Sequence, residues 1–286
     1  MTFEFWFMFP TAILIATIAM ASGVEGATFF APIFLLALGL PAEVAIGTGL
    51  ITEVFGFASG VGAYVKRRLI DYRLATSLLI VTIPAAIAGS LVVHYINDAV
   101  IESVLGMGLV AVAISFLGGP DHDEIARLDA AVRADHGGES AERCIRTAAG
   151  EEIRYTVCNR TEGRLISGVG ALFMGMVSTG LGEMNGYFLL RRCRVPSAIA
   201  VGTSVLIVAV TVLSAAGVHL WRFVQTGGDA LPTVASLVIF TIPGVLIGGQ
   251  IGPKVAAVIP GKILERALGV IFLLVGALMI GKVALT

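Results

Sequence analysis

The sequence has few charged side chains: Asp, Glu, Lys and Arg make up 14% of its 286 residues, whereas 57% are hydrophobic. A soluble domain carries about 25% charged residues, so this composition excludes an ordinary soluble enzyme. The net charge of -1 provides no basic field for nucleic acid. Residues 119–164 hold 17 of the 39 charged residues, so we expect a membrane protein with one polar insertion.

Basic residues are absent from the first nine positions, and cysteines are scarce. The positive start of a cleavable signal peptide is therefore missing, and the first apolar segment is expected to remain in the mature protein. Cys144, Cys158 and Cys193 form no Cys-x-x-Cys pair. This spacing indicates free thiols rather than a disulfide framework or a zinc site, and no metal or other cofactor is predicted.

Six apolar segments are long enough to cross the hydrocarbon core as helices, which takes about 20 residues. They cover 43–63, 72–95, 99–118, 197–219, 231–251 and 262–281. Two further apolar stretches, 6–38 and 165–190, are interrupted by glycine and polar residues at 22–28 and 178–185. Such interruptions are typical of broken helices or re-entrant hairpins, which persist in a bilayer where protein or a water-filled cavity covers them.

The loop charges predict the orientation, because short cytoplasmic loops carry an excess of lysine and arginine. Basic residues cluster at 66–73, 191–194 and 254–266. Placing these clusters in the cytoplasm makes the insertion cytoplasmic and both termini external. It also makes 165–190 a hairpin that returns to the side on which it began. His94 and His219 lie near the ends of their predicted helices and are expected at the membrane interface.

The two halves of the chain resemble each other in sequence. Residues 82–89 (TIPAAIAG) align with 241–248 (TIPGVLIG), and 41–48 (PAEVAIGT) align with 196–203 (PSAIAVGT). Each half contains one hairpin and three full crossings. Because that number of crossings is odd, the second half is expected to be inverted relative to the first.

The predicted architecture is therefore an all-α membrane protein with two inverted-topology repeats, at 1–118 and 165–286, and a small cytoplasmic α+β insertion at 119–164. Within the insertion, 121–134 has the apolar spacing of a short helix, and 142–158 alternates like a β-hairpin. A solvated acidic helix accounts for the histidine and aspartate residues there without a metal site.

In inverted-repeat transporters the substrate site lies near the midplane, where the two breaks face each other. We expect half-helix N-termini at 26–28 and 185–186 to offer unpaired N–H groups to an anion. The predicted substrate-binding residues supply glycine backbone, hydroxyls and one amide: Ser22, Gly23, Gly26, Thr28, Thr48, Ser178, Thr179, Gly180, Asn185, Thr203 and Ser204. Glu25, Glu53 and Glu183 fall at membrane depth without a base, and we predict that they couple the anion to protons.

Short motifs typical of a known family occur in both halves in the same order. They are a glycine-rich break from Gly23 to Pro32, then Pro41, Ala45, Gly47-Thr48 and Ile70-Asp71, and in the second half Pro196, Ala200 and Gly202-Thr203-Ser204. In this duplicated pattern the chain resembles the TauE/SafE family of sulfite exporters. Glu25 and Glu183 stand where that family usually has a run of glycines.

The resemblance implies a transporter in a bacterial inner membrane, not an enzyme, that exports a small oxyanion such as sulfite or an organosulfonate by alternating access. Its partners would be that inorganic or organosulfur anion and the lipid bilayer, and a homodimer is left open. Two alternatives remain. One is a proton-coupled or cation transporter that uses the buried glutamates, and the other is a membrane sensor with a cytoplasmic domain.

Overall fold

The computed structural model describes residues 3–22, 25–118, 130, 143–228, 230–256, 258 and 261–285. The helices are α1 (Met8–Ser22), α2 (Ala27–Leu36), α3 (Ala42–Arg67), α4 (Tyr72–Val92), α5 (Asp98–Leu117), α6 (Arg160–Val177), α7 (Leu181–Gly186), α8 (Ser197–Thr226), α9 (Ala230–Ala256) and α10 (Gly261–Leu285). Shorter turns are the 3₁₀ segments Phe3–Phe5 and Val93–Tyr95 and the π-helical segment Tyr187–Arg192. Strands β1 (Arg143–Arg146) and β2 (Glu152–Tyr155) pair antiparallel.

Among the described residues, six helices are long and apolar enough to cross a membrane: α3, α4, α5, α8, α9 and α10. The six predicted crossings are thereby confirmed, although α8 runs on to Thr226 rather than ending at 219. The outward faces carry apolar side chains such as Ile114 and Leu274, which are more than half exposed. Such surfaces are covered by lipid in a multi-pass membrane protein, which this chain is.

Both interrupted stretches form two helices separated by a break. Glu25 and Gly26 lie in the first break, between α1 and α2, and Ser178–Gly180 form the second, between α6 and α7. Gly180 has a φ of +115°, a backbone conformation that favours glycine. Because this residue turns the chain so tightly, helix resumes at Leu181, and the predicted helix start at 185–186 is wrong.

The two halves pack against each other through reciprocal helix pairs. α4 lies along α6 and α9 lies along α1, while α3 packs on α8 and α5 packs on α10. Thr82 and Thr241, which are equivalent in the sequence alignment, make matching contacts. The Oγ1 of Thr82 is 2.9 Å from that of Thr211, and the Oγ1 of Thr241 is 2.8 Å from that of Thr52. Reciprocal pairing of this kind is expected when two repeats share one core.

The β-hairpin of the insertion docks on one end of the helices, and its prediction is confirmed. The Tyr155 hydroxyl donates to Oδ2 of Asp71 at 2.8 Å, directly before α4. The N–H of Ala148 donates to the carbonyl of Arg67 at 3.0 Å, at the end of α3. The helix predicted over 121–134 lies outside the described residues, apart from residue 130.

Two expectations about single residues are wrong. Cys158 and Cys193, predicted to be free thiols, form a disulfide with their Cα atoms 5.1 Å apart. The two cysteines flank the α6–α7 hairpin, and the hairpin brings its two ends together. Because they are 35 residues apart in the sequence, their spacing alone does not predict that they are neighbours. His219, predicted to be interfacial, is fully buried because α8 continues past it, and its Nε2 lies 3.2 Å from the carbonyl oxygen of Gly175.

Candidate functional site

The two breaks meet inside the protein and are joined by hydrogen bonds. Thr28, in the first turn of α2, donates from Oγ1 to Oγ1 of Thr179 at 3.1 Å, and both side chains are buried. The N–H of Gly182, in the first turn of α7, donates to Oε1 of Glu25. Each bond links residues more than 150 positions apart in the sequence. The breaks therefore form one site built from both halves.

Each helix that resumes after a break presents an N–H group to a carboxylate. Oε1 of Glu53, from the middle of α3, accepts from the N–H of Ala27 at 3.1 Å, and Glu25 accepts from Gly182. The first N–H groups of a helix have no partner within the helix and lie at the positive end of its dipole. A carboxylate oxygen there occupies a place in which an oxygen of a bound anion would fit.

Several buried polar atoms at this site have no hydrogen-bond partner among the described residues. They are Oε2 of Glu25, Oε2 of Glu53, Oε2 of Glu183, Oγ of Ser178 and Nδ2 of Asn185. Asn185 is held in place through its Oδ1, which accepts from Oγ of Ser167 at 2.7 Å. Buried polar groups are nearly always satisfied, so a cluster of unsatisfied ones indicates space for a ligand, water or proton.

A cavity of about 40 Å³ lies beside the first break. Glu53 and Gly26 contribute to its wall, and the other lining side chains, such as Phe30 and Met20, are apolar. Because a water needs roughly 10–15 Å³ by this kind of measure, a few water molecules or one small ion would fit. Glu183 faces a different space, an apolar groove of about 440 Å³ between α6 and α7.

The structure places most of the predicted site residues at the breaks. These are Gly26, Thr28, Ser178, Thr179, Gly180, Asn185, Glu25 and Glu183, with Glu53 reaching in from α3. The side chain of Ser22 and all of Gly23 lie outside the described residues.

Three predicted residues lie on full-length helices instead. Thr48 directs its hydroxyl to the carbonyl of Val44 on its own helix, at 2.6 Å. Thr203 accepts from the N–H of Asp71 at 3.0 Å, at the end that carries the β-hairpin. Ser204 follows it on α8 and is half-buried.

Sequence reasoning missed the backbone donor Gly182, because it placed the second helix start at 185–186. The other donor, Ala27, lies within the predicted helix start at 26–28. The sequence does mark position 182 with a glycine, two residues after Gly180. The structure explains why glycine stands there: a Cβ on Gly182 would lie 2.7 Å from Oε1 of Glu25. Sequence reasoning also missed the role of Asp71, whose carboxylate binds the hydroxyl of Tyr155 and lies 3.4 Å from Nη1 of Arg143. An aspartate directly before α4 is a helix-cap signal, but the sequence does not reveal its partners in the insertion.

Within the part of the chain that the structure describes, six helices long enough to cross a membrane accompany two facing broken helices, an arrangement typical of membrane transporters. The chain belongs to the sulfite exporter TauE/SafE family, which it matches over residues 8–279. The resemblance inferred from the motifs is therefore confirmed.

Two proteins of Bacillus subtilis (strain 168) are similar to the chain. "Probable membrane transporter protein YjnA" is 26% identical over 241 residues, which cover 82% of this chain and 84% of that protein. "Probable membrane transporter protein YunE" is 22% identical over 239 residues, covering 83% and 81% respectively. No solved structure matches the chain.

Proposed function

We propose that the protein is a secondary transporter that exports a small oxyanion, sulfite or an organosulfonate, across the bacterial inner membrane. The observation that carries this proposal is the pair of helix starts at which Ala27 and Gly182 donate N–H groups to carboxylate oxygens. A sulfite or sulfonate group offers anionic oxygens of the same kind. The description of the family supports a sulfur oxyanion as the substrate.

Anion binding and protonation of the glutamates are linked in this mechanism. An incoming oxyanion competes with Glu25 and Glu53 for the same N–H groups. A protonated carboxyl releases those donors more readily, because hydrogen bonds to an ionised acceptor are about twice as strong as neutral ones. The unpartnered oxygens of Glu25, Glu53 and Glu183 are the proposed sites of proton uptake.

The membrane potential alone can drive export, so export does not require coupling to protons. With the cell interior negative, a monoanion that leaves across ~100 mV gains about 2.3 kcal/mol. Uptake against the same potential would instead demand coupling to another gradient, and the buried glutamates would serve a proton gradient. The glutamates therefore bear on the direction of transport as well as on its pH dependence.

Alternating access requires contacts between the two repeats to break and re-form. At the breaks, those contacts are the bond from Thr28 to Thr179 and the bond from Gly182 to Glu25. We propose that relative rocking of the repeats separates these pairs and opens the site to one side at a time.

Sulfite flux in proteoliposomes, with the membrane potential and the pH gradient imposed independently, tests the proposal. Glu25→Gln and Glu183→Gln keep an amide oxygen as acceptor but remove the titrating group, so we expect flux to persist and its pH dependence to disappear. Glu4→Gln is the matched control, since Glu4 is exposed and lies before α1. An unchanged pH profile in both site variants would refute the coupling. Absence of sulfite flux would refute sulfite as the substrate and leave another anion or a cation.

A proton or cation transporter is the second candidate. It is favoured by the cavity beside Glu53 and by three buried carboxylates, none of which pairs with a lysine or arginine in the described part of the chain. In the same proteoliposomes, inhibition by competing cations rather than by competing oxyanions would select this function.

A further inference from the structure

A basic pocket lies at the end of the molecule that carries the β-hairpin, away from the two breaks. It has a volume of about 720 Å³ and opens between the starts of α4 and α6, with β1 at its side. Four of its lining residues are arginines: Arg73, Arg143, Arg160 and Arg164. None of the described lining residues is acidic. The transport site described above uses none of these side chains.

The carboxylates next to this pocket are already engaged by other groups. Asp71 accepts hydrogen bonds from the hydroxyl of Tyr155 and from the N–H of Leu74. Glu162, on the first turn of α6, pairs with Nε of Arg192 at 2.7 Å. Of the arginines that line the pocket, Arg143 contacts a carboxylate, that of Asp71, at 3.4 Å.

Two of the arginines are held in fixed positions by their neighbours. Arg164 bridges from α6 to α4, where its Nε donates to the carbonyl of Ser77 at 3.2 Å and its Nη2 donates to Oγ of Ser77 at 3.0 Å. Arg143 is held by its 3.4 Å contact with Asp71. Each guanidinium keeps further N–H donors, and a fixed planar guanidinium suits a phosphate oxygen pair.

The helices themselves add to the positive potential. α4 begins at Tyr72 and α6 begins at Arg160, and both residues line the pocket. The N-terminal end of a helix carries the positive end of its dipole. Two such ends together with four guanidinium groups make this a site for an anion with several oxygens.

An exposed apolar side chain continues from the pocket along the lipid-facing side of α4. Ile80, two turns into α4, lines the pocket and is 65% exposed. Tyr72 stands at the rim, as aromatic residues do at a membrane interface. A free inorganic anion would not require this apolar path, whereas the acyl chains of a lipid would.

We propose that the pocket binds the phosphodiester headgroup of an anionic phospholipid, whose acyl chains lie along Ile80. Basic pockets between membrane helices on the cytoplasmic side are suited to such headgroups. The bound lipid connects α4, α6 and the β-hairpin at the membrane surface. This proposal does not depend on which substrate the breaks transport.

Binding of short-chain lipids to the purified full-length protein in detergent tests the proposal. The probe is dioctanoyl phosphatidylglycerol, and dioctanoyl phosphatidylcholine is the zwitterionic comparison. We expect the anionic lipid to bind at least roughly tenfold more tightly. Arg73→Gln and Arg164→Gln should each weaken its binding about fivefold. Arg191→Gln is the matched control, since this exposed arginine lies at the same end but outside the pocket.

Three outcomes would overturn the proposal. Equal affinity for the two lipids would show that charge does not select the ligand. An equal loss in Arg191→Gln would indicate a diffuse surface charge rather than this pocket. Full displacement of the lipid by millimolar inorganic phosphate or sulfite would assign the pocket to a small free anion. Arg73 is exposed on the first turn of α4, so its replacement keeps the fold even if the loss of Arg164 does not.

Discussion

At the scale of single residues, the site depends on where two carboxylates are held. Oε1 of Glu25 reaches the N–H of Gly182 because this glycine has no side chain in the way. The group that a Cβ would meet is the end of a flexible side chain rather than backbone. A small side chain at position 182 would therefore displace the carboxylate without disrupting the helices.

Replacement Gly182→Ala is expected to lower substrate flux several-fold while leaving the thermal unfolding temperature within a few degrees of wild type. The added Cβ would lie 2.7 Å from Oε1 of Glu25 and would break one of the bonds between the two breaks. The measurements are flux in proteoliposomes and thermal unfolding in detergent.

Gly186→Ala is the control for that substitution. It lies in the same short helix, and a Cβ there meets nothing within 4 Å. An equal fall in flux in both variants would show that an added methyl group on α7 impairs transport for reasons unrelated to Glu25. Normal flux in Gly182→Ala would show that transport does not need the hydrogen bond from Gly182 to Glu25.

Tyr155→Phe is expected to destabilise the protein by about 1–3 kcal/mol, because it leaves an oxygen of buried Asp71 without its donor. Burial, and then the Asp71 carboxylate, raise the pKa of Tyr155 above its usual value near 10. The stabilisation is therefore complete below about pH 10 and decreases as the pH rises above it. Unfolding temperatures of variant and wild type should differ at neutral pH and converge in strong alkali. Identical values at neutral pH would mean that the hairpin is not fastened through Asp71.

At the scale of helices, glycines allow the reciprocal pairs to approach closely. A Cβ on Gly175 of α6 would lie within 3.0 Å of backbone atoms of Ala86 and Ser90 of α4. On the other pair, a Cβ on Gly244 of α9 would lie 2.8 Å from the carbonyl oxygen of Phe9 of α1. Because backbone atoms cannot rotate away, these positions set the spacing between the two halves.

Gly175→Ala is accordingly expected to destabilise the protein by about 1–3 kcal/mol through overpacking. Gly217→Ala, on α8, has no atom within 4 Å of the added Cβ and should be neutral or slightly stabilising. Thermal unfolding of the two variants in detergent makes the comparison. Equal stability would show that α4 and α6 can separate at no cost.

The elements were more predictable than their contacts. The crossings follow from runs of about 20 apolar residues, and the breaks follow from glycine beside polar groups, as at Gly180. The partner of Glu25 is 157 positions away in sequence, so it depends on how the two hairpins pack. The same holds for Cys158 and Cys193, although a predicted returning hairpin already implies that its two ends lie close together.

At the scale of the whole molecule, basic residues gather at one end. The loop after α3, the β-hairpin and the segment after α7 meet there, as shown by the bonds from Ala148 to Arg67 and from Arg192 to Glu162. At the other end, Glu43 in the first turn of α3 lies 3.0 Å from His94 in the turn that follows α4. The excess of lysine and arginine predicts that the end with the hairpin is cytoplasmic.

The disulfide between Cys158 and Cys193 lies at this same end, and disulfides are rare in the reducing cytosol. The charge rule acts on several loops together, whereas a cysteine pair can persist as two neighbouring thiols in a reducing compartment. We therefore expect the basic end to be cytoplasmic and its cysteine pair to be reduced in the cell.

Labelling of Cys144 tests this orientation, because this cysteine is free, exposed and located on β1. In a Cys158→Ser/Cys193→Ser variant, Cys144 is the remaining thiol, and Cys144→Ser in that background is the blank. A membrane-impermeant maleimide should label Cys144 in permeabilised cells but not in intact ones. Labelling in intact cells would place the hairpin outside, where a disulfide is stable, and would make the opposite, less basic end the cytoplasmic one. The inferred lipid pocket would then face the outer leaflet. The experiment therefore determines on which side of the membrane the β-hairpin and this pocket lie.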